Sequence, residues 1–516
     1  MQENESTVQG TFKPAGGVDL LLIYPPWASL GSRGILQNSL PPLGILSIAS
    51  YAEQQGFRVQ VLDVHAERLD DREVTARIVA ASPRIVGISV LTNMAVPAHC
   101  IARLAKQAVP ACKVIVGGVH AEALPEETLR NSAIDAVCRG DGEETTVDVL
   151  RNLPFSEIKG LSYRIGNRVA HNPPRPVEKD LDKYPFPAYH LIDFKRYFPS
   201  VGSYRRLPAI NMLMTRGCIG NCTFCNSART VLRSRSAASV VEQIKVLRYQ
   251  YGIRQIQFYD DTFTAMKKNV MEFCRLIVEQ KVDVTWTAYI RGDCFSDEMA
   301  VAMKSAGCHQ VLMGVETGDE RLMESIRKPI DKAKYKEAVR IAHRHGMEVR
   351  ASFILGHIGE TRESLQATLD LAKELDIDLM QLAILTPLPG TWIFKEAVEK
   401  NLLIHRNWNE YGADKVLMNL PTITAQEILE FERHAFRSFY LRPKSIVRHL
   451  RRVVSPRQIR DLAAAFMMFI LGTTLYKNPK WDCWNKWQEK DFQDLDIELP
   501  KKPRLTHELR QNPIFL

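Results

Sequence analysis

Short apolar runs alternate with amphipathic segments along the N-terminal part of the chain. The apolar runs occupy residues 18–24, 58–63, 84–91, 113–116 and 133–139. The amphipathic segments occupy about 41–55, 70–81, 95–108 and 121–131, and another starts near residue 143. Continuous apolar runs of this length are typical of buried parallel strands. Their alternation with helices predicts a doubly wound parallel sheet with right-handed crossovers.

A second strand–helix series begins near residue 210. Its apolar runs occupy residues 210–215, 255–259, 285–290, 310–315, 349–355 and 380–386. A helical segment follows the runs here as well, so this part of the chain is also predicted to be parallel α/β. Ligands of parallel α/β folds bind beyond the carboxyl ends of the strands, and those ends are where we look for chemistry.

The segments outside these two series have different compositions. Residues 1–17 are polar and glycine-rich, which predicts a disordered lead-in, and 153–207 is rich in proline, which predicts a linker. Within that linker, 161–171 has the pattern of a β-hairpin turning at Gly166-Asn167. The predicted units are a lead-in, an N-terminal domain, a linker, a second domain and a helical C-terminal region, at 1–17, 18–152, 153–207, 208–390 and 391–516.

Composition narrows the setting of the protein. The 516 residues, with 45% hydrophobic and 25% charged side chains, are typical of a globular chain of several domains. The ten cysteines show no paired framework and no signal peptide is visible, so we expect the reducing cytoplasm. No apolar run reaches the roughly 20 residues that a transmembrane helix needs.

Part of the net charge of +9 is concentrated near the C-terminus. Seven Lys or Arg and no Asp or Glu lie between Arg442 and Arg460, and Leu462–Tyr476 then carries no charge. The uncharged stretch is too short to cross a bilayer. We expect a helix packed over the second domain or, as an alternative, a membrane-surface helix beside a basic segment that attracts anionic lipid. The sequence shows no recognition fold for nucleic acid.

Cys218, Cys222 and Cys225 form a compact sulfur motif, Cys-x3-Cys-x2-Cys, directly after the first strand of the second series. Thiolates are soft ligands for copper(I), zinc or iron–sulfur clusters. A structural zinc ion takes four protein ligands, and no nearby cysteine or histidine completes the set. The motif therefore favours a cluster with one open iron over a zinc site or unligated cysteines.

With Phe224 before the third cysteine, this motif resembles that of the radical S-adenosylmethionine (SAM) superfamily. The resemblance implies a partial (β/α)6 barrel over 208–390 and a 4Fe-4S cluster held by the three catalytic cysteines. SAM would chelate the open iron and release a 5′-deoxyadenosyl radical on reduction. The SAM contacts it implies are Phe224, Asp260, Asp261, Glu316, Ser352 and Gly356, with Leu388 and Gly390 near the adenine.

Two alternatives apply to these positions. The three carboxylates could instead serve as helix N-caps or in surface salt bridges, but their recurrence at successive strand ends favours the SAM site. His357 is a candidate proton-transfer group, although a lone histidine is more often structural. Tyr289 and Arg291 are lesser candidates.

Small residues mark the strand ends of the N-terminal domain and resemble the cobalamin-binding domain. Glycine there lets a flat macrocycle approach the backbone; the alternative is a flavodoxin-like domain with ordinary glycine turns. The implied contacts are Ser89, Leu91, Thr92, Gly117, Gly118, His120, Gly140 and Glu143. One departure concerns Asp63-Val-His65: the glycine of the familiar Asp-x-His-x-x-Gly signature is replaced by Arg68, so we expect no histidine of the protein below the cobalt.

Together these motifs resemble the cobalamin-binding radical SAM family over residues 18 to about 390. The implied fold is α/β: an N-terminal doubly wound parallel-sheet cobalamin-binding domain, a partial (β/α)6 radical SAM barrel and a mainly helical C-terminal region. The expected function is transfer of a methyl group to an unactivated carbon of a hydrophobic substrate, such as a hopanoid, another isoprenoid lipid or a tetrapyrrole. SAM would both methylate cobalamin and supply the radical.

Two other functions remain open at this point. One is oxidative cyclisation of a magnesium porphyrin, and the other is a non-enzymatic cobalamin or redox sensor, against which the complete series of strand-end residues argues. We further expect an external electron donor of the flavodoxin or ferredoxin type. We also expect possible peripheral contact at the inner membrane face and no nucleic-acid partner.

Overall fold

The structure is a computed structural model, and it describes residues 17–27, 39–200, 202–328, 332–450, 459 and 482–485. The N-terminal domain contains seven strands: β1 Leu20–Tyr24, β2 Val59–Asp63, β3 Ile85–Ser89, β4 Lys113–Gly117, β5 Ala136–Cys138, β6 Leu161–Ile165 and β7 Arg168–His171. They form one sheet in the order β2-β1-β3-β4-β5-β6-β7. The first five strands are parallel, and β6 and β7 join antiparallel.

Helices cover both faces of this sheet. They are α1 Leu43–Gln54, α2 Val64–Glu67, α3 Asp71–Ala81, α4 Ala95–Ala108, α5 Val119–Ala123, α6 Pro125–Thr128 and α7 Gly142–Leu150. One face packs on α1 and α7 and the other on α3 and α4, which confirms the doubly wound prediction. The single helix predicted over 121–131 is two short helices, because Pro125 has no N–H to continue a helix.

The hairpin predicted in the linker is part of the N-terminal sheet. Strand β6 pairs with β5 through Val137↔Ser162, and β7 then pairs with β6. The sheet therefore extends beyond residue 152 to His171. A hydrophobic pattern alone did not assign this hairpin to the sheet because antiparallel edge strands need no crossover helix to mark their attachment.

The second domain contains a two-stranded ribbon and a six-stranded parallel sheet. The sheet strands are β8 Ala209–Met212, β11 Gln255–Phe258, β12 Thr285–Ile290, β13 Cys308–Glu316, β14 Glu348–Leu355 and β15 Leu379–Ile384, and the ribbon strands are β9 Thr215–Arg216 and β10 Arg233–Ser234. The sheet order is β8-β11-β12-β13-β14-β15. Strands β8 and β15 lie at opposite edges, so the sheet is a partial barrel, as predicted.

Six helices cover the outside of the barrel: α8 Ala237–Gln250, α9 Lys267–Glu279, α10 Asp297–Ser305, α11 Glu320–Ser325, α12 Lys332–Arg344 and α13 Arg362–Glu374. Strand β14 shows how the two faces differ. Val349, Ala351, Phe353 and Leu355 are buried on the helix side, and the residues between them are half-buried. Because strand side chains alternate between faces, those intervening residues point into the barrel.

The linker closes the amino-terminal end of the barrel. Gln255 and Gln257 donate their side-chain N–H groups to the Ser203 carbonyl oxygen at 2.9 and 3.0 Å, and Gln310 donates to the Gly202 carbonyl at 2.9 Å. These glutamines lie on inward-facing positions of β11 and β13. The barrel therefore has a hydrogen-bonded floor, and its open end is the carboxyl end of the strands.

The C-terminal region packs on both domains. Its helices are α14 Trp392–Glu399, α15 Ala425–Tyr440, α16 Pro443–Leu450 and α17 Asp482–Asn485. On the barrel, the Tyr440 hydroxyl donates to the Met380 carbonyl at 2.7 Å. On the N-terminal domain, the indole N–H groups of Trp408 and Trp484 donate to Glu127 and to the Leu69 carbonyl at 2.6 and 3.0 Å.

The uncharged stretch 462–476 and four of the seven basic residues before it lie outside the described residues, so the two predictions for them stay predictions. Across the part of the chain that the structure describes, every helix is too short or too polar to cross a membrane.

Candidate active site

The three cysteines lie in a loop that the ribbon β9–β10 closes. Gly217 begins the loop with φ of +93°, and a Cβ at this position would come within 2.2 Å of the Val231 carbonyl oxygen. Only glycine fits such a crossing. The Cys218 N–H then donates to the Thr230 hydroxyl at 3.0 Å, which fixes the first cysteine at the carboxyl end of the barrel.

The surroundings of the thiols fit a cluster. All three are half-buried, and a Cβ on Gly220 would lie 3.3 Å from Cys218 Sγ and 3.9 Å from Cys222 Sγ, so glycine keeps space open between them. No three His, Cys, Asp or Glu side chains among the described residues converge on a single ion; a four-iron cluster instead holds its thiolates at separate corners. Burial raises the pKa of Cys225 to about 12, so a bound metal would be what keeps it a thiolate.

The acidic pair after β11 divides into two roles. Asp260 is buried and accepts hydrogen bonds from the Met214 N–H at 3.1 Å and from the Thr215 N–H and hydroxyl at 2.5 and 2.6 Å. Its carboxylate therefore braces the turn that leads into the cluster loop. Asp261 is exposed and lies beside Ser227 and Cys225, on the side that the sequence assigned to SAM.

Glu316 occupies a strained position at the end of β13. The strand bulges between Gly314 and Glu316, and Glu316 has φ of +69°, which a side chain with a Cβ rarely adopts. Its Oε1 pairs with Lys328 Nζ at 2.5 Å, and both side chains are about nine-tenths buried. Although burial opposes it, the Glu316 carboxylate raises the pKa of Lys328 and holds the ammonium charged. Backbone strain of this kind concentrates at ligand sites.

Of three residues near Glu316, two are not predicted as site residues by the sequence and the third is only a lesser candidate. Lys328 lies near Cys222 and donates to the Gly314 carbonyl at 2.8 Å. Tyr335 is fully buried beside this pair, and its hydroxyl has no hydrogen-bond partner in the described structure. Arg291, a lesser candidate from the sequence, pairs with Asp293 at 2.8 Å and extends toward Cys218. Lys328 follows α11 and Tyr335 lies in α12, so neither residue stands at the end of a strand.

The carboxyl end of β14 holds the remaining SAM candidates. Ser352 faces the barrel, and Gly356 turns with φ of +83°. Glu360 accepts from the N–H groups of Gly356 and His357 at 3.1 and 3.3 Å, and burial raises its pKa to about 7. Burial also lowers the pKa of His357 to about 4, so this ring is neutral at neutral pH.

The adenine side of the predicted SAM site is apolar. Phe224 is half-buried against a small cluster that contains Leu385 and Ile393. Leu388 accepts at its carbonyl from the Thr391 hydroxyl at 2.6 Å, and Gly390 has φ of +85°. The turn after β15 thus closes beside Phe224, on the side that the resemblance assigned to the base.

A cavity of about 260 Å³ lies between the N-terminal sheet and helices α1 and α7. Apolar side chains of β1, β3, β4 and α1 form its walls: Leu20, Leu22, Ile45, Ile48, Ile85 and Ile115. Five predicted cobalamin contacts reach it: Ser89, Gly117, Gly118, Gly140 and Glu143. An apolar slot that ends in glycines at the carboxyl edge of a sheet fits a flat heterocyclic group with a polar tail.

Three other predicted contacts lie away from this cavity. Leu91 is 38% exposed, whereas Thr92 and His120 are buried and approach each other at 3.4 Å. The His120 ring packs on Trp408 at 5.1 Å between centroids. His65 is buried against Trp27 at 4.9 Å. The cavity lining contains no histidine in the described part of the chain.

Charged side chains join the cavity to the cluster loop. Arg216 lies two residues before Cys218 and donates to Glu143 Oε1 at 2.7 Å and to Ser47 Oγ at 3.0 Å. Arg233, on the other strand of the ribbon, forms a bidentate pair with Asp141. Both strands that close the cluster loop are therefore tied to the N-terminal domain, and Glu143 serves this contact between domains.

Comparison with known proteins finds a matching family for each of the two domains. The Radical SAM superfamily profile matches residues 212–372, and the B12 binding domain profile matches residues 34–150. An uncharacterized methyltransferase of Pyrococcus horikoshii is 36% identical over 439 residues, covering 84% of this chain and 94% of the relative. The anaerobic magnesium-protoporphyrin IX monomethyl ester cyclase of Rubrivivax gelatinosus is 25% identical, with 82% and 77% covered.

A solved structure shares the arrangement of domains. The cobalamin-dependent SAM radical enzyme OxsB, solved with aqua-cobalamin bound, superposes with a TM-score of 0.68 over 88% of this chain and 71% of its own, at 17% identity. That likeness concerns the fold. Taken with the matched profiles and the 36% identical relative, it shows that the chain belongs to the cobalamin-binding radical SAM family.

Proposed function

We propose that this protein transfers a methyl group from SAM, by way of cobalamin, to an unactivated carbon of a hydrophobic substrate. One observation carries the proposal: Arg216 joins the cofactor cavity to the loop of three cysteines within a single chain. A protein that only senses cobalamin has no use for a cluster loop at the mouth of a barrel. The 36% identical methyltransferase supports methyl transfer as the reaction class.

The cluster and SAM would supply a carbon-centred radical, and cobalamin would carry the methyl group. The chain's own residues bind and orient these groups. Cys218, Cys222 and Cys225 would hold the cluster, and Asp260 fixes the turn that presents it. Glu316, locked by Lys328, would accept hydrogen bonds from ribose hydroxyls beside the half-buried Phe224.

Oxidative cyclisation is the second candidate, because a magnesium-porphyrin cyclase matches over most of both chains. The two reactions differ in product mass. Methyl transfer adds one methyl group, whereas cyclisation adds oxygen or removes hydrogen. Both reactions act on a hydrophobic substrate at the barrel mouth, so product mass is the readout that separates them.

The decisive experiment follows the methyl group. The protein is reconstituted without oxygen with iron, sulfide and cobalamin, and is incubated with deuteromethyl-SAM, a reductant, and lipid or tetrapyrrole extracts. We expect an organic product whose mass carries the labelled methyl group. Product that gains oxygen or loses hydrogen without label would favour the cyclase, and label that never enters an organic product would refute methyl transfer.

Partners and location follow from the same proposal. Reductive cleavage of SAM consumes an electron, and we infer an external donor of the flavodoxin or ferredoxin type. We place the protein in the reducing cytoplasm, with peripheral contact at the inner membrane face. Helix α16 supports that contact, since Ile446 and Val447 are 43% and 47% exposed in a segment that also carries Lys444. No nucleic-acid partner is proposed.

A further inference from the structure

The interior of the barrel contains an arginine without a carboxylate partner. Arg350 lies on β14 between Val349 and Ala351, which are buried against the outer helices, so its side chain points into the barrel. It is half-buried. Its hydrogen bond to a protein group is with Ser200 Oγ at 3.4 Å, and it forms no ion pair within the described residues.

Two carboxylates on β13 and β14 are already paired with cations. Glu348, two residues earlier on the same face of β14, pairs with Arg205 at 3.2 Å and accepts from Gln310 at 3.1 Å. At the open end, Glu316 pairs with Lys328. The carboxylate nearest to Arg350 along its own strand is therefore already engaged. Guanidinium stays charged at any physiological pH, so a half-buried and unpaired one favours an anionic ligand.

The neighbours of Arg350 in the sheet are largely apolar. In strand register it lies beside Leu312 on β13 and Leu379 on β15. Tyr289, beside Leu312 on β12, follows in the same layer and packs edge-on against Tyr259 at 5.5 Å between ring centroids. One cation with aliphatic and aromatic neighbours suits a ligand that has a hydrophobic body and one anionic end.

The position of Arg350 along β14 defines how deep it lies in the barrel. Arg350 precedes Ser352 by two residues, which puts it about 6–7 Å below the predicted SAM contacts along the strand. The linker floor at Gly202 and Ser203 lies on its other side. A group bound at Arg350 would thus lie inside the barrel, beneath SAM, with the rest of its molecule extending toward the open end.

We propose that Arg350 binds an anionic oxygen group, a carboxylate or a phosphate, of the substrate. This inference deepens the proposed function and rests on it only in naming the ligand as substrate. It narrows the hydrophobic substrates considered above to amphiphiles with an acidic group, such as a tetrapyrrole carboxylate or an isoprenoid phosphate. Neutral hydrocarbons such as an unmodified hopanoid do not fit.

The test uses two matched pairs of probes, decanoate with decanol and farnesyl phosphate with farnesol. Each is titrated calorimetrically into the reconstituted full-length protein, with and without saturating SAM. We expect at least one acid to bind about 10-fold or more tightly than its alcohol, since a charge-assisted hydrogen bond is stronger than a neutral one. Binding of decanoate alone identifies a carboxylate, and binding of farnesyl phosphate alone identifies a phosphate.

Variants assign that preference to one residue. Arg350→Gln should remove the preference for the acid without changing alcohol binding, and Arg350→Lys should restore part of it. Arg205→Gln is the matched control, because this arginine at the barrel base is already paired with Glu348; it should retain the preference. Formation of 5′-deoxyadenosine by each variant reports an intact SAM site.

Three results would overturn the inference. The first is equal binding of acids and alcohols, or no binding of any probe. The second is an acid preference that survives Arg350→Gln. The third is loss of acid binding when SAM is saturating, together with weaker SAM binding by Arg350→Gln, which would assign Arg350 to the SAM carboxylate. These measurements do not depend on methyl transfer, so failure of the proposed function would leave them interpretable.

Discussion

At the scale of single residues, Glu316 is a buried carboxylate that is paired with the Lys328 ammonium at the open end of the barrel. The Lys328 ammonium supplies a counter-charge to the Glu316 carboxylate inside this buried site. Gly314 makes room for this pair, because a Cβ there would come within 2.3 Å of Glu316 Oε1 and 2.8 Å of Lys328 Nζ. The strained backbone at Glu316 fixes the carboxylate at the open end of the barrel.

Replacing this carboxylate tests its role. Glu316→Gln removes the charge and its pair with Lys328, and we expect SAM to bind about 10-fold or more weakly while iron content is unchanged. Equilibrium dialysis with labelled SAM measures the effect. Glu320→Gln is the control, since Glu320 is 87% exposed at the start of α11. Equal SAM affinity in wild type and Glu316→Gln would remove Glu316 from the site.

His120 leads to a prediction about pH. Burial lowers its pKa to about 3, from an ordinary value of 6.5, so the folded protein keeps it neutral where the unfolded chain would protonate it. Its contribution to stability is therefore present above the unfolded pKa and is lost as the pH falls toward the folded value. The loss between about pH 7 and pH 5 should be about 2 kcal/mol of unfolding free energy.

His120→Gln should remove this component. Urea unfolding of the variant should lose about 2 kcal/mol less than wild type over that pH interval. His190→Gln serves as the control, because its side chain is 57% exposed. An identical pH dependence in wild type and His120→Gln would show that His120 is not the group held neutral.

The sequence points to site candidates that lie at a strand end or in a compact motif. Cys218, Glu316 and Gly356 follow directly from such positions. Lys328, which follows α11, and Tyr335, in α12, reach the site through tertiary packing that no local pattern encodes. The position of Asp260 predicts a SAM contact, whereas its hydrogen bonds to Met214 and Thr215 depend on the tertiary fold.

At the scale of secondary-structure elements, two consecutive glycines at the end of β4 have different roles, one in cofactor binding and one in stability. A Cβ at Gly117 would make ordinary contact with Cys138 at 3.6 Å, whereas Gly118 has φ of +101° and a Cβ there would lie 2.7 Å from the Val90 carbonyl oxygen. The first glycine therefore keeps the cavity open, and the second permits the turn into α5.

These two glycines should respond differently to substitution. Gly117→Val should fold with nearly normal stability but bind cobalamin at least about 10-fold more weakly, because its side chain enters the cavity. Gly118→Ala should lose about 1–3 kcal/mol of stability from backbone strain and close contact. Cobalamin binding by absorbance and unfolding by urea provide the two readouts. Normal cobalamin affinity in Gly117→Val would contradict the placement of the cofactor.

Helices and strands were predicted correctly where the period of the hydrophobic pattern and the length of the segment indicate the same type of element. The β12 bounds match the predicted 285–290, and α4 matches 95–108, because each has a sustained pattern with clear ends. The hairpin β6–β7 and the pair α5 and α6 were less well predicted. A short antiparallel edge carries no sign of its partner, and Pro125 divides one apolar pattern into two helices.

At the scale of the whole molecule, two ion pairs hold the cofactor domains in one arrangement. Arg216 reaches the buried Glu143, and Arg233 reaches Asp141, so both strands of the ribbon that closes the cluster loop are tied to the N-terminal domain. In the proposed reaction, a radical derived from SAM and the methyl group carried by cobalamin would both act on one substrate. A fixed distance between their sites serves that requirement.

Breaking one pair tests this arrangement. Arg216→Gln should cost about 3 kcal/mol of stability, because it leaves Glu143 buried without its counter-charge. The double variant with Glu143→Gln should recover part of that loss. Urea unfolding measures both, with Arg77→Gln as an exposed control. Additive effects of Arg216→Gln and Glu143→Gln would show that the contact does not couple the domains.

The most direct test of the central claim is electron paramagnetic resonance of the oxygen-free, reduced protein before and after SAM is added. The account predicts labile sulfide, a signal of a reduced 4Fe-4S cluster and a change of that signal on SAM binding. Replacement of Cys218, Cys222 or Cys225 by alanine should abolish the signal, and Cys294→Ala should retain it, because Cys294 lies outside the motif. A protein without labile sulfide, or a cluster signal that SAM leaves unchanged, would contradict the account.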